Sequence, residues 1–320
     1  MRKIGVLTSG GDAPGMNAAI RAVVRYGISV GLEVYGIERG YKGLIGGAIK
    51  RMDNRSVSGI IQRGGTVLKT DRCPEFKELK YQKRAIDVLN AFGIEGLIVI
   101  GGDGSFRGVK DLKNNFQYPG IGIPGTIDND LGYTNYTLGF DTACNTVLWA
   151  INNLRDTMTS HDRVCIIEVM GRKCGDIAIF SGLAGGAEIL LVPEVEVDLE
   201  KTSKKILQNE IKGKKSDIII LSEGVCDAEV LKEELEKRTG LSIRTVKLGH
   251  IQRGGMPTMA DRVLGSRFAV KAVDLLKQDK GARAVGIKNN KIIDVDIEEA
   301  LAAPRELSKS LYNLVISLSN

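Results

Sequence analysis

Three short apolar runs that each end in a glycine-lined polar turn constrain the fold of this chain more than any other feature. The pairs of run and turn are Ile4–Leu7 with Thr8–Asp12, Gly96–Ile100 with Gly101–Ser105, and Ile121–Ile123 with Pro124–Asp130. Short apolar runs bounded by turn residues are typical of buried strands. In doubly wound sheets, ligands bind beyond the carboxyl ends of the strands, so the turns predict a ligand site.

Short β-rich runs alternate with amphipathic segments of helical length along most of the chain. Strands are predicted near residues 3–8, 33–38, 96–100, 120–124, 164–169, 188–192, 217–222, 243–248 and 283–287. This alternation predicts an α/β fold with two doubly wound, mostly parallel sheets that carry helices on both faces. We expect Pro74 and Gly93 to begin and end a helix, and Asp141 and Asp198 to be helix N-caps.

The length of 320 residues is sufficient for two domains. The sequence shows no internal repeat and no low-complexity linker, and we expect the hinge between Asp130 and Asp141. We predict two interleaved domains around a cleft. The first comprises residues 1–140 and 256–304, and the second comprises residues 141–255 and 305–320.

The composition excludes several classes of protein. The apolar runs are much shorter than the roughly 20 residues that span a bilayer, and Met1 is not followed by a signal-peptide core, so we expect a soluble cytoplasmic protein with no membrane partner. Five cysteines without metal-type spacing are expected to be reduced. A net charge of +6, 5% aromatic residues and no recognisable nucleic-acid module argue against a nucleic-acid partner.

The first turn has the chemistry of an anion site. Gly10, Gly11 and Gly15 allow a ligand close to the backbone, and a helix predicted from about Asn17 offers its first N–H groups to a phosphate. The spacing matches neither the dinucleotide-binding pattern G-x-G-x-x-G nor the P-loop. A tight structural turn therefore remains the alternative.

The second and third turns add carboxylates. Asp103 is suited to Mg²⁺, which often takes one protein carboxylate and further ligands from a nucleotide. Asp128 and Asp130, preceded by Thr126, suit a base next to a phosphoryl acceptor, because phosphoryl transfer depends on alignment and charge neutralisation. The alternatives are that Asp103 and Ser105 cap a helix and that the third turn is closed by Asx-turns.

Cationic side chains flank the later predicted strands. Arg163 and Arg172 bracket the strand at 164–169, and Arg244 begins the strand that we expect to end at His250–Arg253. Arginine forks match the geometry of phosphate. Glu223, after another apolar run, is suited to accept hydrogen bonds from sugar hydroxyls.

Five segments, in unbroken order from Met1 to about Asn290, make the chain resemble the bacterial ATP-dependent 6-phosphofructokinases. The segments are Ile4–Asn17, Gly101–Ser105, Pro124–Asp130, Glu168–Arg172 and Leu248–Gly255. The resemblance implies transfer of the γ-phosphoryl group of ATP, with Mg²⁺, to the 1-hydroxyl of fructose 6-phosphate, the committed step of glycolysis. It implies ATP binding by the first predicted domain and fructose 6-phosphate binding by the second.

The resemblance also implies residue roles. Asp128 would be the base, Asp103 the magnesium-linked carboxylate, and Thr126, Arg172 and Asp130 the other catalytic residues. The ATP site would contain Gly11, Arg72, Cys73, Gly102, Asp103, Gly104 and Ser105. The sugar-phosphate site would contain Thr126, Ile127, Asp128, Met170, Gly171, Arg172, Glu223, His250, Ile251, Gln252 and Arg253, with Arg163 and Arg244 from a neighbouring subunit of a homotetramer.

A second anion site, for the effectors ADP or phosphoenolpyruvate, is implied between subunits. It would contain Arg21, Arg25, Arg155, Gly186, Ala187, Glu188, Lys212, Lys214 and Lys215. From the residues alone, these cations would be solvated helix faces. Asn54, Arg55 and Gly59 depart from the family pattern, so the direction and strength of regulation stay open.

Three positions, Gly104, Gly125 and Asp71, affect the expected choice and binding of the phosphoryl donor. Pyrophosphate-using relatives carry Asp in place of Gly104 and Lys in place of Gly125, so the resemblance implies ATP as the donor. Asp71 stands next to Arg72 where a small residue is common, and an ion pair between the two would weaken the hold of Arg72 on ATP.

Three alternatives remain open. NAD and lipid kinases share glycine-aspartate-glycine turns but have no need of Arg163, Arg244, His250 and Arg253. A catalytically silent sensor of sugar phosphates or nucleotides has no use for the base Asp128. A Rossmann-type dehydrogenase requires a G-x-G-x-x-G turn with an acid about 20 residues later, which this sequence lacks.

Overall fold

The computed structural model describes residues 1–161, 163–214 and 216–319. The strands are β1 (Lys3–Thr8), β2 (Glu33–Ile37), β3 (Ile49–Met52), β4 (Gly96–Gly101), β5 (Gly120–Pro124), β6 (Val164–Val169), β7 (Ile189–Leu191), β8 (Ile218–Ser222), β9 (Ile243–Lys247), β10 (Arg283–Lys288) and β11 (Lys291–Asp296). The helices are α1 (Met16–Ser29), α2 (Gly40–Gly46), α3 (Leu79–Phe92), α4 (Asp103–Phe116), α5 (Phe140–His161), α6 (Asp176–Gly185), α7 (Leu199–Ile211), α8 (Ala228–Thr239), α9 (Met259–Lys277), α10 (Ile297–Ala302) and α11 (Lys309–Leu318).

The contacts divide the chain into two compact units. The first is formed by Met1–Ile127, Leu131–Thr142 and Arg253–Arg305, and the second by Asp128–Asp130, Ala143–Gln252 and Glu306–Asn320. The predicted domains differ from these units in four places: the turn at 128–130 belongs to the second unit, and residues 141–142, 253–255 and 305 belong to the first. The assignment of each domain to a ligand remains a prediction.

The sheet of the first unit has the strand order β11-β10-β5-β4-β1-β2-β3. Its strands are parallel except for β3 and β11, which pair antiparallel with β2 and β10. These two edge strands were not predicted, because Lys50 and Arg51 in β3 and the charged residues of β11 interrupt the apolar runs that mark a buried strand. The prediction of a mostly parallel sheet is confirmed.

Helices cover both faces of this sheet. Leu97 and Val99 of β4 pack in one core cluster with Phe106 of α4 and with residues of α3. Successive side chains of a strand point to opposite faces. On the other face, a Cβ added at Gly96 would lie 3.1 Å from Cδ2 of Leu276 in α9. The predicted two-sided covering is therefore confirmed for this unit.

The sheet of the second unit has the parallel order β7-β8-β6-β9. Its core includes Ile166, Ile219 and Leu221, packed with apolar residues of α7 and α8. No helix within the described ranges combines the length and the apolar sequence that are needed to cross a membrane.

Two of the four predicted helix boundaries are confirmed. Asp198 caps α7 and accepts a hydrogen bond from the backbone N–H of Lys201, and Gly93 ends α3 in the left-handed conformation at φ 66°. Pro74 begins a short 3-10 turn instead of an α-helix. The prediction for Asp141 was wrong by two positions, since α5 begins at Phe140 and Asp141 lies inside its first turn.

A buried carboxylate, Asp261, joins the beginning of α9 to the beginning of α5 inside the first unit. It accepts hydrogen bonds from the backbone N–H groups of Gly139 at 2.8 Å and Thr142 at 2.9 Å, and from the Thr142 hydroxyl. Burial raises the pKa of Asp261 to about 6, although these hydrogen bonds act in the opposite direction. The folded chain therefore holds a proton on this group more readily than the unfolded chain does.

This raised pKa predicts a pH-dependent contribution to stability. An ordinary Asp in the unfolded chain loses its proton near pH 4, so lowering the pH from 7 to 4 stabilises the fold through Asp261 by up to about 3 kcal/mol. The variant Asp261→Asn lacks this contribution. We expect the unfolding free energy of the parent minus that of the variant, measured in urea, to increase by roughly 2 kcal/mol between pH 7 and pH 4.5. A difference that is independent of pH would contradict the assignment.

Candidate active site

The three glycine-lined turns lie side by side at one edge of the first sheet. Strands β5, β4 and β1 are adjacent and parallel. Thr8 pairs with Ile100, and Gly101 pairs with Pro124, so the strands end at nearly the same level. Each predicted turn therefore continues from a neighbouring strand.

Hydrogen bonds join the first turn to the second. The backbone N–H of Ser9 donates to Ile100 O at 3.0 Å, and the buried Ser105 hydroxyl donates to Ser9 O at 3.0 Å. A Cβ added at Gly101 would lie 2.5 Å from Ser9 O, so only glycine allows this approach. Ser105, expected in the ATP site, uses its hydroxyl to hold two turns together.

The second turn is also joined to the third. The N–H of Gly125 donates to Gly101 O at 3.0 Å. A Cβ added at Gly102 would lie 3.7 Å from Cβ of Thr126, which places the backbone of Gly102 next to that threonine. The structure thus brings the turns of Gly11, Asp103 and Thr126 into one row.

Asp103 is the first residue of α4, and its carboxylate forms an ion pair with Arg107. Nε of Arg107 lies 2.8 Å from Oδ2, and the Asp103 side chain is 44% exposed. An exposed pair of this kind contributes less than about 1 kcal/mol, so a divalent cation can replace the guanidinium. Arg107 was not predicted from the sequence, although its spacing of four residues from Asp103 is the ordinary signal for a helical ion pair.

The residues present fit a sparsely held magnesium ion. Across the described ranges, no group of three or more His, Cys, Asp or Glu side chains is arranged to hold a metal. A single exposed carboxylate oxygen donor matches Mg²⁺, which keeps several waters and binds through one or two carboxylates plus phosphates. The assignment of Asp103 as the magnesium-linked carboxylate stays a prediction.

The segment before Cys73 runs along the first turn. The Thr70 hydroxyl donates to Gly10 O at 2.8 Å. Arg72, which is exposed, lies two residues after Thr70 in the chain. The carboxylate of Asp71 accepts a hydrogen bond from Lys42 at 3.1 Å, and this bond lowers the pKa of Asp71. Asp71 is thus paired with Lys42, and the suspected ion pair with Arg72 is not what the structure shows.

Arg253 lies against the first turn in the same unit. A Cβ added at Gly11 would lie 2.5 Å from Nη1 of Arg253, so the guanidinium covers the glycine peptide. Arg253 was predicted to bind the sugar phosphate, and its contact with Gly11 was not predicted. Its role stays a prediction.

In the second unit, the turn of Asp128 and Asp130 is built around Asn129. Asn129 is fully buried, has φ 52°, and donates through Nδ2 to Oδ2 of Asp176 at 2.8 Å. Asp128 is half-buried and Asp130 is exposed.

Gln252, expected among the substrate residues, has a buried side chain. Its Oε1 accepts from the N–H of Met170 at 3.1 Å, and its Nε2 donates to Gly249 O at 3.1 Å. Gly171, the residue after Met170, has φ 128°, a conformation that favours glycine. Gln252 therefore fixes the backbone next to Gly171.

The predicted site residues of the second sheet fall at opposite ends of its strands. Arg172 follows β6, Glu223 follows β8, and His250 follows β9, so these three lie at the carboxyl ends of adjacent parallel strands. Arg163 directly precedes β6, and Arg244 pairs with Cys165 near the amino ends. The structure does not bring these two arginines to the edge of Arg172. Strands of this length separate the two edges by roughly 15–20 Å.

The expected end of the strand that begins near Arg244 was wrong. β9 ends at Lys247, and Gly249–Arg253 forms a separate 3-10 turn, in which His250 and Ile251 are exposed. The glycines around this segment favour a turn over a continued strand.

Several predicted effector residues of the second unit meet at a buried carboxylate, Glu188. Nη1 of Arg155 lies 3.2 Å and Nζ of Lys214 lies 2.6 Å from Oε1 of Glu188, which is 3% exposed. Nη2 of Arg155 also donates to Gly186 O at 2.7 Å. Lys214 also lies 4.0 Å from Oδ1 of the buried Asp217, so two cations and two carboxylates meet at this point.

The other predicted effector residues are dispersed. Ala187 is buried beside Glu188, and Lys212 is exposed at the end of α7. Arg21 and Arg25 lie four residues apart on α1 of the first unit, the first half-buried and the second exposed. Lys215 lies outside the described residues.

The strand order and the row of acidic glycine turns define a doubly wound α/β protein with the turn chemistry of phosphate binding. The family model for phosphofructokinase matches residues 3–276, and the chain belongs to this family. The chain is 58% identical over 319 residues to a Clostridium botulinum (strain Hall) protein named ATP-dependent 6-phosphofructokinase, and the match covers 100% of both chains. The resemblance stated from the sequence motifs is thereby confirmed.

Solved structures show the same fold. Phosphofructokinase from Saccharomyces cerevisiae matches with a TM-score of 0.88 and 32% identity, over 100% of this chain and 48% of the yeast chain, so this chain spans about half of that relative. A pyrophosphate-dependent phosphofructokinase from Marinobacter aquaeolei matches with a TM-score of 0.87 and 20% identity, over 99% and 91% of the two chains. Since the two folds match almost equally well, the phosphoryl donor has to be argued from residues.

The contact between the first two turns predicts a contrast between two glycines. In Gly101→Ala, the new Cβ would displace Ser9 O and the Ser105 hydroxyl, and we expect a loss of about 1–3 kcal/mol of stability. In the matched control Gly104→Ala, nothing lies within 4 Å of the new Cβ, and the helix should gain up to about 1 kcal/mol. Urea unfolding measures both, and equal effects would refute the close approach.

Proposed function

We propose that this chain phosphorylates D-fructose 6-phosphate at the 1-hydroxyl with ATP, giving fructose 1,6-bisphosphate and ADP in the committed step of glycolysis. The row of three turns at the edge formed by β5, β4 and β1 carries the proposal. The full-length similarity to a relative named ATP-dependent 6-phosphofructokinase supports it. The proposal includes a cytoplasmic location, on the sequence grounds given above.

The donor binds at the row of turns. Backbone N–H groups at the beginning of α4 and in the glycine turns suit the phosphates of ATP, because a helix N-terminus favours negative charge. The proposed binding residues are Gly11, Arg72, Cys73, Gly102, Asp103, Gly104 and Ser105. Asp103 is the proposed holder of Mg²⁺, which when bound neutralises charge on the β- and γ-phosphates. Metal binding at Asp103 would require its ion pair with Arg107 to open.

The two glycines linked to donor choice support ATP. Nothing lies within 4 Å of a Cβ placed on Gly104, so the protein itself does not require glycine there. The space over Gly104 is therefore available to the α-phosphate of ATP. At Gly125, an added Cβ would lie 3.0 Å from both Ile100 Cγ2 and Met16 Cε, which leaves little room for the lysine of pyrophosphate-using relatives.

The acceptor reaction is an in-line displacement at the γ-phosphorus. The 1-hydroxyl oxygen forms the new P–O bond as the bond to the β-phosphate oxygen breaks, and the carboxylate of Asp128 takes the hydroxyl proton. Thr126 and Arg172 stabilise the transferred group, and Asp130 is the remaining catalytic residue. The other proposed sugar-phosphate residues are Ile127, Met170, Gly171, Glu223, His250, Ile251, Gln252 and Arg253.

The position of Arg163 and Arg244 supports a shared site in a homotetramer. Both residues lie at the amino ends of the second sheet, opposite to Arg172, Glu223 and His250. An arginine at the amino ends of the strands cannot bind a ligand at the carboxyl ends of the same sheet. We propose that both bind the 6-phosphate in the site of a neighbouring subunit.

An effector site for ADP or phosphoenolpyruvate is proposed at Glu188 and its cations. Arg155 and Lys214 converge on this buried carboxylate, and an anionic effector would compete with Glu188 for the two cations. Lys212, Gly186, Ala187, Arg21 and Arg25 complete the proposed set, with Lys215 carried over from the resemblance alone. The departures at Asn54, Arg55 and Gly59 leave the direction of control to experiment.

A coupled assay tests the proposed reaction. Purified protein with Mg²⁺ and fructose 6-phosphate should turn over with ATP and fail with pyrophosphate, and ADP or phosphoenolpyruvate should change the half-saturation for fructose 6-phosphate. No turnover with ATP would reject the proposal. Turnover with pyrophosphate alone would reject the donor assignment.

The base assignment predicts a selective loss of turnover. Asp128→Ser should lower kcat by about 10² to 10⁴, the usual contribution of a positioned base, and leave fructose 6-phosphate affinity largely unchanged. The control Asp87→Ser changes an exposed carboxylate of α3 and should leave kcat unchanged. Turnover of the Asp128 variant within a few-fold of the parent would remove Asp128 from the mechanism.

The shared site predicts complementation between two impaired chains. Arg244→Ala should raise the half-saturation for fructose 6-phosphate more than ten-fold, with little effect on that for ATP, because charge-assisted bonds to phosphate are lost. When Arg244→Ala and Asp128→Ser chains are refolded together, some sites combine an intact Asp128 with an intact Arg244 from another chain. Activity should then exceed the sum of the two parents. Strict additivity would show that Arg244 acts within its own chain or not at all.

A further inference from the structure

The turn that carries the proposed base is held by a side-chain hydrogen bond inside the second unit. Asn129 stands between Asp128 and Asp130, is fully buried, and has φ 52°. Asparagine is among the few residues that adopt this left-handed conformation readily. Its Nδ2 donates to Oδ2 of Asp176 at 2.8 Å, and Asp176 is 1% exposed at the beginning of α6.

Asp176 ends the segment that carries Arg172, a second proposed catalytic residue. The N–H of Gly175 donates to Oε1 of Glu194 at 2.9 Å, which fixes the backbone directly before Asp176. The backbone of Arg172 lies so close to Gly224 that a Cβ there would overlap the Arg172 carbonyl. The backbone of this segment is therefore fixed at two points, whereas the Arg172 side chain is exposed.

We propose that the Asn129–Asp176 pair is a positioning device that fixes the turn of Asp128 and Asp130 relative to the segment of Arg172. The inference rests on the proposed function, because the position of Asp128 affects the rate only if Asp128 acts in phosphoryl transfer. Both side chains are buried and neither touches solvent, so the pair acts through the residues beside it. Asn129 and Asp176 are positioning residues and not catalytic ones.

The expected effect of losing the pair lies in alignment. A displacement of about 1 Å at reacting groups can cost on the order of 10²-fold in rate. Without the bond to Asp176, the left-handed residue Asn129 loses a contact that maintains its uncommon conformation. The turn of Asp128 would then sample several positions, and kcat would fall while the binding of ATP and fructose 6-phosphate persists.

The second unit contains a matched control pair. Nδ2 of Asn209 donates to Oδ1 of Asp217 at 2.9 Å, and both residues are buried. This pair has the same chemistry and nearly the same length as Asn129–Asp176, but it joins α7 to the segment before β8. Variants of this control pair should therefore lower the stability of the fold and leave kcat unchanged.

The experiment compares kcat and KM for Asn129→Gly, Asn129→Asp and the exchanged pair Asn129→Asp with Asp176→Asn. Glycine keeps the left-handed backbone but removes the bond, aspartate puts two acceptors face to face, and the exchange restores one donor and one acceptor. Asn209→Gly and Asn209→Asp are measured alongside, without effectors. All rates are expressed per folded molecule, with the folded fraction taken from circular dichroism.

We expect both single Asn129 variants to lose about 10- to 100-fold in kcat with each KM within about three-fold, and the exchanged pair to recover most of it. The Asn209 variants should keep kcat within two-fold. The inference is overturned if the Asn129 variants keep kcat within two-fold of an active parent, or if the Asn209 variants lose as much. An inactive parent would reject the proposed function itself, and the inference with it.

Discussion

The parallel pairing of β1 with β4 and of β4 with β5 is the constraint on which the candidate site depends. Parallel neighbours end at the same edge of a sheet, and the register of Thr8 with Ile100 and of Gly101 with Pro124 brings three turns to nearly the same level. Three separated segments of the chain thereby become one surface. The glycine at position 101 is required by this arrangement, because any side chain there would push the turns apart.

Buried and exposed carboxylates have different tasks in this chain. Asp261, Asp176 and Glu188 are each at most 3% exposed and accept hydrogen bonds from loops or cations of the same unit. Asp103 and Asp130 are exposed, and Asp103 is paired with an exposed arginine of its own helix. Burial makes a carboxylate costly unless it is well bonded, which explains why the buried carboxylates are held by several donors of the fold.

Much of this architecture was predictable from the sequence, because buried parallel strands are continuous apolar runs and glycine turns mark their ends. The edge strands β3 and β11 were missed since edge positions tolerate charges such as Lys50. Arg107 was missed although helical spacing to Asp103 indicates it. The contact of Asn129 with Asp176 joins residues far apart in the chain, and no local pattern marks it. The position of Arg253 on Gly11 is likewise a tertiary contact.

The central claim is that the three turns act together as one nucleotide-binding surface. Hydrogen exchange of backbone amides, followed by mass spectrometry with and without Mg²⁺ and a non-hydrolysable ATP analogue, tests it directly. If the three turns form one surface, peptides covering residues 8–12, 101–106 and 124–127 should gain protection together at the same nucleotide concentration. Protection confined to one of these peptides, or found only elsewhere in the chain, would contradict it.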